Sequence, residues 1–356
     1  MEATMSTPIS KNTKSSKRKF LGVTGKVGLS TFAASAAGIN LGLIDLVHAQ
    51  NKSVQPFRFA MISDSHLFSH KNHKFDTQLS DAIEQVNNLP VKPDFVLYGG
   101  DIAQDGTMDQ LEKGQKILSK INTKMVIIPG EHDWYVDMGT GWNGLYGKNN
   151  PESGQRKGRK EYWSFDHKGV HFIGVNNILV DDFWTVQKMT GVERQTHMSM
   201  LEGPWGGLWG VKAEQLEWLK KDLAKQPTDK PIVIFSHAPL WDYYPRWGFG
   251  TSDGEQVRGL LSKFENVASF HGHVHQTIYN KIGNMSSVGA MSTSWPWPYP
   301  AVDLAFPQSR QNRADPGNAE DGMGSLYADF GTTGVRVQHQ PFADSLTPWM
   351  KNGFVA

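Results

Sequence analysis

The chain has 356 residues, of which 38% are hydrophobic and 20% are charged, a composition typical of a globular protein and not of a disordered one. It contains no cysteine, which excludes disulfides, thiolate metal sites and a cysteine nucleophile. The first 50 residues hold six of the 36 basic residues and two of the 35 acidic ones, so the rest carries 30 basic and 33 acidic residues. That balance argues against a surface that coats nucleic acid.

Residues 1–49 have the three parts of an export signal. The basic segment Lys17-Arg18-Lys19 precedes an uncharged stretch from Val27 to Ile44, and Val47-His48-Ala49 ends in a small residue. The basic segment resembles a twin-arginine signal with lysine at the first arginine position, which implies the twin-arginine translocase as a partner and a periplasmic or secreted product. A retained anchor is the alternative, but an 18-residue stretch with many glycines is short and weakly hydrophobic for a span. We therefore expect cleavage and no stable membrane span.

The chain after residue 50 alternates between strand and helix patterns. Short apolar runs predict buried strands at Phe57–Ser63, Phe95–Tyr98, Lys124–Ile128, Pro231–Phe235 and Val267–Phe270. Apolar residues at helical spacing predict helices over Phe75–Leu89, Met108–Ile121 and Val211–Leu223. This alternation indicates an α/β fold. Because no clear boundary follows residue 50, we expect residues 50–356 to form one domain.

Two stretches interrupt the alternation and are predicted to be loop insertions. Residues 134–209 are rich in Gly, Asn and Trp around a predicted hairpin of Tyr162–Phe165 and Val170–Val175, and residues 292–324 are again loop-like. Their tryptophans are expected mainly to pack the loops onto the core, which is the commoner role of buried aromatic rings.

Asp, Glu and His residues, which are types that can ligate metals, follow each of the five predicted strands. They are Asp64, His66, Asp101, Glu131, His132, Asp133, His237, His273 and His275. Binding sites of α/β sheets form at the carboxyl ends of strands, and carboxylates and imidazoles suit transition metals such as Fe, Mn or Zn. Two such ions about 3.5–4 Å apart can hold a phosphoryl group between them. The pattern therefore predicts two metal ions as cofactors.

The order Asp-x-His, Gly-Asp, Gly-x-His-Asp, His and Gly-His-x-His over residues 57–290 resembles the calcineurin-like metallophosphoesterase family. The resemblance implies two stacked mixed β-sheets flanked by helices, in four layers. It also implies an enzyme that hydrolyses phosphate esters with a hydroxide activated by two metals. By the same resemblance the first metal is held by Asp64, His66 and His275. Asp101 bridges both metals, and the second metal is held by His237 and His273.

The resemblance also assigns the proton chemistry. His132 matches the histidine that protonates the leaving oxygen, and Asp133 matches an acid that orients this histidine. One position departs from the family pattern, because Glu131 stands where the family has asparagine. If Glu131 ligates the second metal, three carboxylates surround the two ions, which favours an ion of higher charge such as ferric iron. If Glu131 points away, the second metal site is weak or empty.

Three functions remain open at this point. The first is a hydrolase of small phosphate esters, and the second is a phosphodiesterase that acts on a cyclic nucleotide or a lipid head group. The third is a protein that keeps the fold and binds a metal or a partner without turnover. Intact His132 argues against the third function, whereas Glu131 argues for it.

Overall fold

The predicted strands and helices are present, with small shifts at their ends. The computed structural model describes residues 43–44, 54–70, 74–134, 136–155, 158–179, 209–243, 249–296, 322–332 and 334–342. Its strands are β1 (Leu43–Ile44), β2 (Phe57–Ile62), β3 (Phe95–Tyr98), β4 (Met125–Ile127), β5 (Trp163–His167), β6 (Val170–Gly174), β7 (Ile232–Ser236), β8 (Val267–His271), β9 (Ile278–Ile282), β10 (Met285–Gly289), β11 (Gly324–Gly331) and β12 (Gly334–Pro341). Its α-helices are α1 (Phe75–Asn87), α2 (Met108–Leu118), α3 (Thr140–Tyr146), α4 (Lys212–Leu223) and α5 (Gly254–Leu261).

The strands form two mixed sheets. The first has the order β1-β12-β11-β2-β3-β4 and the second has the order β5-β6-β7-β8-β10-β9. Strands β2, β3 and β4 run parallel to one another, as do β6, β7, β8 and β10. β11 and β12 add antiparallel strands to the first sheet, and β5 and β9 do so in the second. The carboxyl ends of parallel strands lie at the same edge of a sheet, and binding sites form at that edge.

An aromatic core holds the two sheets face to face. Phe59 on β2 stacks on Phe95 with 5.5 Å between ring centroids, and its edge contacts Phe235 and Phe270 of the second sheet at 5.4 and 5.2 Å. Phe172 of β6 joins the same cluster. Full burial of one such ring stabilises the fold by about 1.5–3 kcal/mol.

Helices cover the outer face of each sheet. Side chains of α1, α2 and α3 pack in one cluster with the first sheet, and those of α4 and α5 pack with the second. The order of layers is therefore helix, sheet, sheet, helix, as predicted. Helix α3 was not predicted, because its sequence is rich in glycine and lacks helical periodicity apart from the buried pair Trp142 and Tyr146.

Part of the predicted organisation lies outside the described residues. This holds for residues 1–42 and 45–53 of the N-terminal stretch and for 180–208 and 297–321 of the two loop insertions. Leu43 and Ile44, inside the predicted export signal, pair with Arg336 and Val335 of β12. Within the described ranges, none of the helices has both the length and the hydropathy needed to cross a bilayer.

A buried histidine in the core between the sheets makes the stability of the fold depend on pH. His339 on β12 is 1% exposed, and its Nε2 donates to the carbonyl oxygen of Gly289 at 2.9 Å. Among the residues that the structure describes, its Nδ1 has no hydrogen-bond partner. Burial lowers the pKa of His339 from 6.5 to about 4, so the ring is neutral in the folded protein at neutral pH.

We predict that replacement of His339 by glutamine makes the free energy of unfolding depend less on pH below neutral pH. Between pH 6.5 and about 4 the unfolded chain binds a proton at His339 that the folded chain does not bind. The free energy of unfolding therefore falls as the pH is lowered through this range, by up to about 3 kcal/mol. Urea unfolding of both proteins at pH 7.5 and pH 5 measures the free energy of unfolding at each pH. An equal loss of stability between the two pH values in both proteins would contradict the prediction.

Candidate metal centre

The predicted ligands converge at the carboxyl edge of both sheets. Asp64 and His66 follow β2, Asp101 follows β3 and Glu131 follows β4, while His237 follows β7 and His273 and His275 follow β8. Seven side chains that are separated by up to 211 residues along the chain are thus brought together, and all are buried. The loops that carry them bond directly, since the backbone N–H groups of Asp64 and His66 donate to the carbonyl oxygens of Gly100 and Asp101, both at 3.0 Å.

The seven predicted ligands fall into two groups, and a third, overlapping group joins His66, Asp101 and His132. Asp64, His66 and His275 make the first group, and Asp101, Glu131, His237 and His273 make the second, with the ligand atoms of each group within 4.8 Å of one another. Asp101 belongs to both groups by position, because its Oδ2 lies 3.5 Å from Nε2 of His66 and 3.2 Å from Nε2 of His237. One carboxylate oxygen therefore stands between the two groups, as a bridging ligand requires.

Three of the four imidazoles are held through Nδ1. His237 Nδ1 faces the carbonyl oxygen of Gly99 at 2.7 Å, and His275 Nδ1 faces that of Trp295 at 2.7 Å. His66 Nδ1 faces the amide oxygen of Gln104 at 3.1 Å. A backbone carbonyl oxygen only accepts, so Nδ1 of His237 and of His275 carries a hydrogen, and the amide oxygen of Gln104 accepts in the same way from His66. Nε2 of each ring is thereby directed toward the predicted metal sites.

Two of these inward nitrogens lie close to each other. Nε2 of His66 and Nε2 of His275 are 3.1 Å apart. Within the described part of the chain, one buried oxygen or nitrogen atom of each of Asp64, Glu131, His237 and His273 has no hydrogen-bond partner. Such an arrangement is costly unless cations lie among these atoms. The mixture of nitrogen and oxygen donors fits transition-metal ions, so the residues present fit a two-metal centre.

Burial and neighbouring groups shift the pKa values of the site residues in different directions. Burial and then Glu131 raise the pKa of Asp101. Burial alone would raise the pKa of Glu131, but the adjacent His273 and His237 outweigh it and hold that pKa well below its usual value. Burial, with His132 and His275 nearby, lowers the pKa of His66 well below 6.5, which keeps its imidazole neutral and able to ligate.

The backbone is strained at the ligands. Among the described residues, five of the eight non-glycine residues with positive φ are predicted ligands, namely Asp64, His66, Asp101, His273 and His275, with φ between 45° and 64°. This left-handed conformation costs a non-glycine residue about 1–2 kcal/mol. Strain of this kind is found where function demands a particular direction of a side chain.

Two glycines leave room for the carboxylates. A Cβ atom at Gly130 would lie 2.0 Å from Oδ1 of Asp101, and one at Gly272 would lie 2.5 Å from Oδ2 of Asp64. Either side chain would displace a ligand. The glycines next to the predicted ligands are thus explained by close approach of the backbone to the site.

Glu131 points into the second group. Its Oε1 lies 2.8 Å from Nδ1 of His273 and its Oε2 lies 2.9 Å from Nε2 of His237. The side chain is 1% exposed, so it has no path to solvent. The structure therefore places Glu131 beside the other predicted ligands of the second group and not pointing away from them.

His132 lies beside the first group, but Asp133 does not orient it, which corrects the predicted role. His132 Nδ1 faces the carbonyl oxygen of Gln104 at 2.5 Å, and its ring centroid is 4.6 Å from that of His66. Asp133 instead accepts backbone N–H groups of Ile102 and Ala103 on Oδ1 and of Gly130 on Oδ2, at 2.9, 3.1 and 3.1 Å. Burial and then Asp101 raise the pKa of Asp133 to about 7.

Several residues that shape the site were missed from the sequence. Gln104 contacts two of the histidines. Asn177 is fully buried after β6, and its Oδ1 accepts the backbone N–H of His237 at 3.0 Å. Ser294 donates to the carbonyl oxygen of Asp64 at 2.7 Å. Their contacts are with backbone atoms or with a residue distant in sequence, and no short motif announces such contacts.

This arrangement of strand ends and ligands agrees with a family comparison. A sequence model described as calcineurin-like phosphoesterase matches residues 57–277, which is more than half of the chain. The chain is a calcineurin-like phosphoesterase. Membership confirms the predictions of the family and of an enzyme that hydrolyses phosphate esters, and the third function considered above, a protein without turnover, is set aside.

Similar proteins include two bacterial relatives of this phosphoesterase. One, from Arcobacter nitrofigilis, is named "Probable glycerophosphodiester phosphodiesterase" and is 27% identical over 237 residues, which cover 62% of this chain and 74% of the relative. The other, from Nostoc sp., is named as a 3',5'-cyclic-nucleotide phosphodiesterase and is 21% identical over 301 residues, which cover 82% of this chain and 96% of the relative.

Solved structures show the same fold. A dimetal phosphatase from Danio rerio has a TM-score of 0.52 at 15% identity, with 79% of this chain and 98% of that one covered. A purple acid phosphatase from yellow lupin has a TM-score of 0.56 at 14% identity; 81% of this phosphoesterase aligns with 52% of the lupin chain, about half its length. These likenesses confirm the stacked mixed sheets flanked by helices.

We predict that Asp133→Ala destabilises the phosphoesterase by about 3 kcal/mol or more, because three buried N–H groups lose their acceptor at about 1–3 kcal/mol each. The matched control is Asp137→Ala, which also removes an acceptor of two backbone N–H groups, those of Thr140 and Gly141, but on a segment without ligands. Chemical denaturation measures both variants. A loss of activity in Asp133→Ala with wild-type stability would show that Asp133 acts on His132 after all.

Proposed function

We propose that this phosphoesterase is a phosphodiesterase that uses two metal ions. Asp64, His66 and His275 would hold the first ion, Glu131, His237 and His273 would hold the second, and Asp101 would contact both. The position of Asp101 Oδ2 between the imidazoles of His66 and His237 is the observation that carries the proposal. When bound, two such ions orient the phosphoryl group, neutralise its charge and activate the attacking water.

The charge of the site favours a diester over a monoester. Asp64, Asp101 and Glu131 bring three carboxylates, and among the described residues none of the three forms an ion pair with Lys or Arg; their partners within 4.0 Å are histidines. A monoester dianion would meet this negative charge with the metals as its main counterions, whereas a diester carries a single charge. The names of the two bacterial relatives, both phosphodiesterases, support the same choice. Glycerophosphodiesters, which carry lipid head groups on glycerol phosphate, and cyclic nucleotides are the substrate classes to test.

His132 is the acid that protonates the leaving oxygen in this proposal. The Gln104 carbonyl oxygen accepts from Nδ1 and cannot donate, so Nδ1 keeps its hydrogen and Nε2 is the atom that gives and takes a proton. The backbone N–H of His132 also donates to Oδ1 of Asp101 at 3.1 Å. The acid is therefore tied to the bridging carboxylate, which sets its position relative to the phosphorus.

We predict that His132→Asn lowers kcat for a methyl or glycerol diester by about 10²–10⁴-fold, the usual contribution of a general acid. The same variant should lose much less on bis(p-nitrophenyl) phosphate, because p-nitrophenolate leaves without protonation. Steady-state kinetics on both diesters and on p-nitrophenyl phosphate measure this, with metal content checked in parallel. Wild-type enzyme that prefers the monoester, or equal losses on both diesters, would contradict the proposal.

We predict that Glu131→Ala reduces the bound metal from two ions to one per chain, because the second group then loses the carboxylate that contacts both of its histidines. Glu131→Asn, which installs the residue usual in the family, should keep two divalent ions but bind a trivalent ion more weakly than the wild type. Elemental analysis after equilibration with Fe³⁺, Mn²⁺ or Zn²⁺ measures both effects. Two tightly bound ions in Glu131→Ala would exclude Glu131 as a ligand.

Residues 1–49 are proposed to be a cleaved export signal of the twin-arginine type, which would place the mature enzyme in the periplasm or outside the cell. The support is the basic segment Lys17-Arg18-Lys19, the uncharged stretch that follows and Ala49. Cleavage there would remove β1 and leave β12 as the edge strand of the first sheet.

We predict that the exported protein begins at Gln50, and that exchange of Lys17 and Arg18 for glutamine keeps the full-length chain in the cytoplasm. Intact mass and N-terminal sequencing of the periplasmic, membrane and cytoplasmic fractions measure this. Full-length protein in the membrane fraction would instead show a retained anchor.

A further inference from the structure

Gln104 contacts two different histidines through two different groups. Its side-chain amide oxygen lies 3.1 Å from Nδ1 of His66, and its backbone carbonyl oxygen lies 2.5 Å from Nδ1 of His132. His66 belongs to the proposed first metal site, and His132 is the proposed acid. One residue thus touches both the metal side and the proton side of the reaction.

The backbone of Gln104 is held by hydrogen bonds between two neighbouring loops. Its N–H donates to the carbonyl oxygen of Leu67 at 3.0 Å, and the N–H of Leu67 donates to the carbonyl oxygen of Ile102 at 2.8 Å. These bonds pair the loop that carries His66 with the loop that carries Asp101, as the bridge between Leu67 and Ala103 also shows. The backbone carbonyl of Gln104 and the start of its side chain are therefore placed by paired backbone and not by a free loop.

The orientation of the amide matters because His66 can carry its hydrogen on either nitrogen. With the hydrogen on Nδ1, Nε2 has a lone pair and points toward Oδ2 of Asp101 at 3.5 Å and Nε2 of His275 at 3.1 Å. With the hydrogen on Nε2, the lone pair would face the amide oxygen and the metal side would present a hydrogen. With the amide oxygen facing Nδ1, as here, the second form would place two acceptors against each other and is disfavoured.

We infer that Gln104 is a positioning residue, which selects the Nδ1–H tautomer of His66 through its side chain and that of His132 through its backbone. Nε2 of His66 can then ligate a metal, and Nε2 of His132 can transfer a proton. The inference rests on the proposed function for the meaning of the two rings, but the tautomers are properties of the chain itself. Because the two contacts use different groups, a change of the side chain separates them.

The experiment compares Gln104→Ala, Gln104→Glu and Gln110→Ala in the full-length protein. Gln110 is the matched control, because its side chain holds the same loop through the backbone N–H of Asp105 at 2.8 Å and belongs to neither ligand group. Nitrogen NMR of the histidine rings in metal-free protein reports each tautomer. Titration with Mn²⁺ measures the affinity of each metal site.

In Gln104→Ala we expect His66 to become a mixture of tautomers, and Mn²⁺ to bind the first site about 10–100-fold more weakly, as for other residues that orient a metal ligand. His132 keeps its tautomer, since its partner is backbone. Gln104→Glu restores the acceptor and the affinity, and Gln110→Ala behaves as wild type. A wild-type His66 tautomer and affinity in Gln104→Ala, or the same losses in Gln110→Ala, would overturn the inference. These readouts do not use turnover, so a failure to hydrolyse diesters would count against the proposed function alone.

Discussion

The carboxylate of Asp101 lies where the ligands of both sheets meet, and the geometry of the site depends on how its charge is balanced. Oδ1 accepts the N–H of His132, while Oδ2 lies between the imidazoles of His66 and His237. Burial lowers the pKa of His66 well below its usual value, so this ring offers no charge in return. Burial would also lower the pKa of His237, but Asp101 and Glu131 outweigh it and raise that pKa well above its usual value. Burial and Glu131 raise the pKa of Asp101. Cations between the two groups remove this conflict.

The rest of the fold keeps the ligands in place against that repulsion. The aromatic core between the sheets sets the distance between the strand ends, and backbone bonds between loops hold the strained residues that follow β2, β3 and β8. Asp133 joins the loop after β3 to the loop after β4 through three N–H groups. Preorganisation of this kind means that the ligands need not move when metals bind.

The sequence predicts which side chains converge because each stands shortly after a buried strand, where periodicity and glycine mark the end of the element. The same logic fails for Asp133. It is adjacent to His132 in the chain, but both belong to a 3₁₀ turn, His132–Trp134, in which successive side chains diverge by about 120°. Adjacent residues in such a turn face different surroundings, so the side chain of Asp133 does not contact that of His132 although the two are neighbours in the chain.

The contributions of Gln104, Trp295 and Asn177 could not be predicted for a related reason. Gln104 and Trp295 act at least partly through carbonyl oxygens, and every residue has a carbonyl, so the sequence carries no signal for them. Asn177 approaches His237 across 60 residues of chain. Helix α3 was missed because its glycines hide a single turn of buried aromatic rings. Such features arise from tertiary contacts that local patterns do not encode.

The measurement that tests the account most directly is a crystal structure of the full-length protein grown with Mn²⁺, with anomalous scattering recorded at the Mn edge. The account predicts two anomalous peaks about 3.5–4 Å apart, with Asp101 in contact with both and Glu131 in contact with the second. A single peak, or two peaks of which Asp101 touches only one, would contradict the bridged two-metal centre.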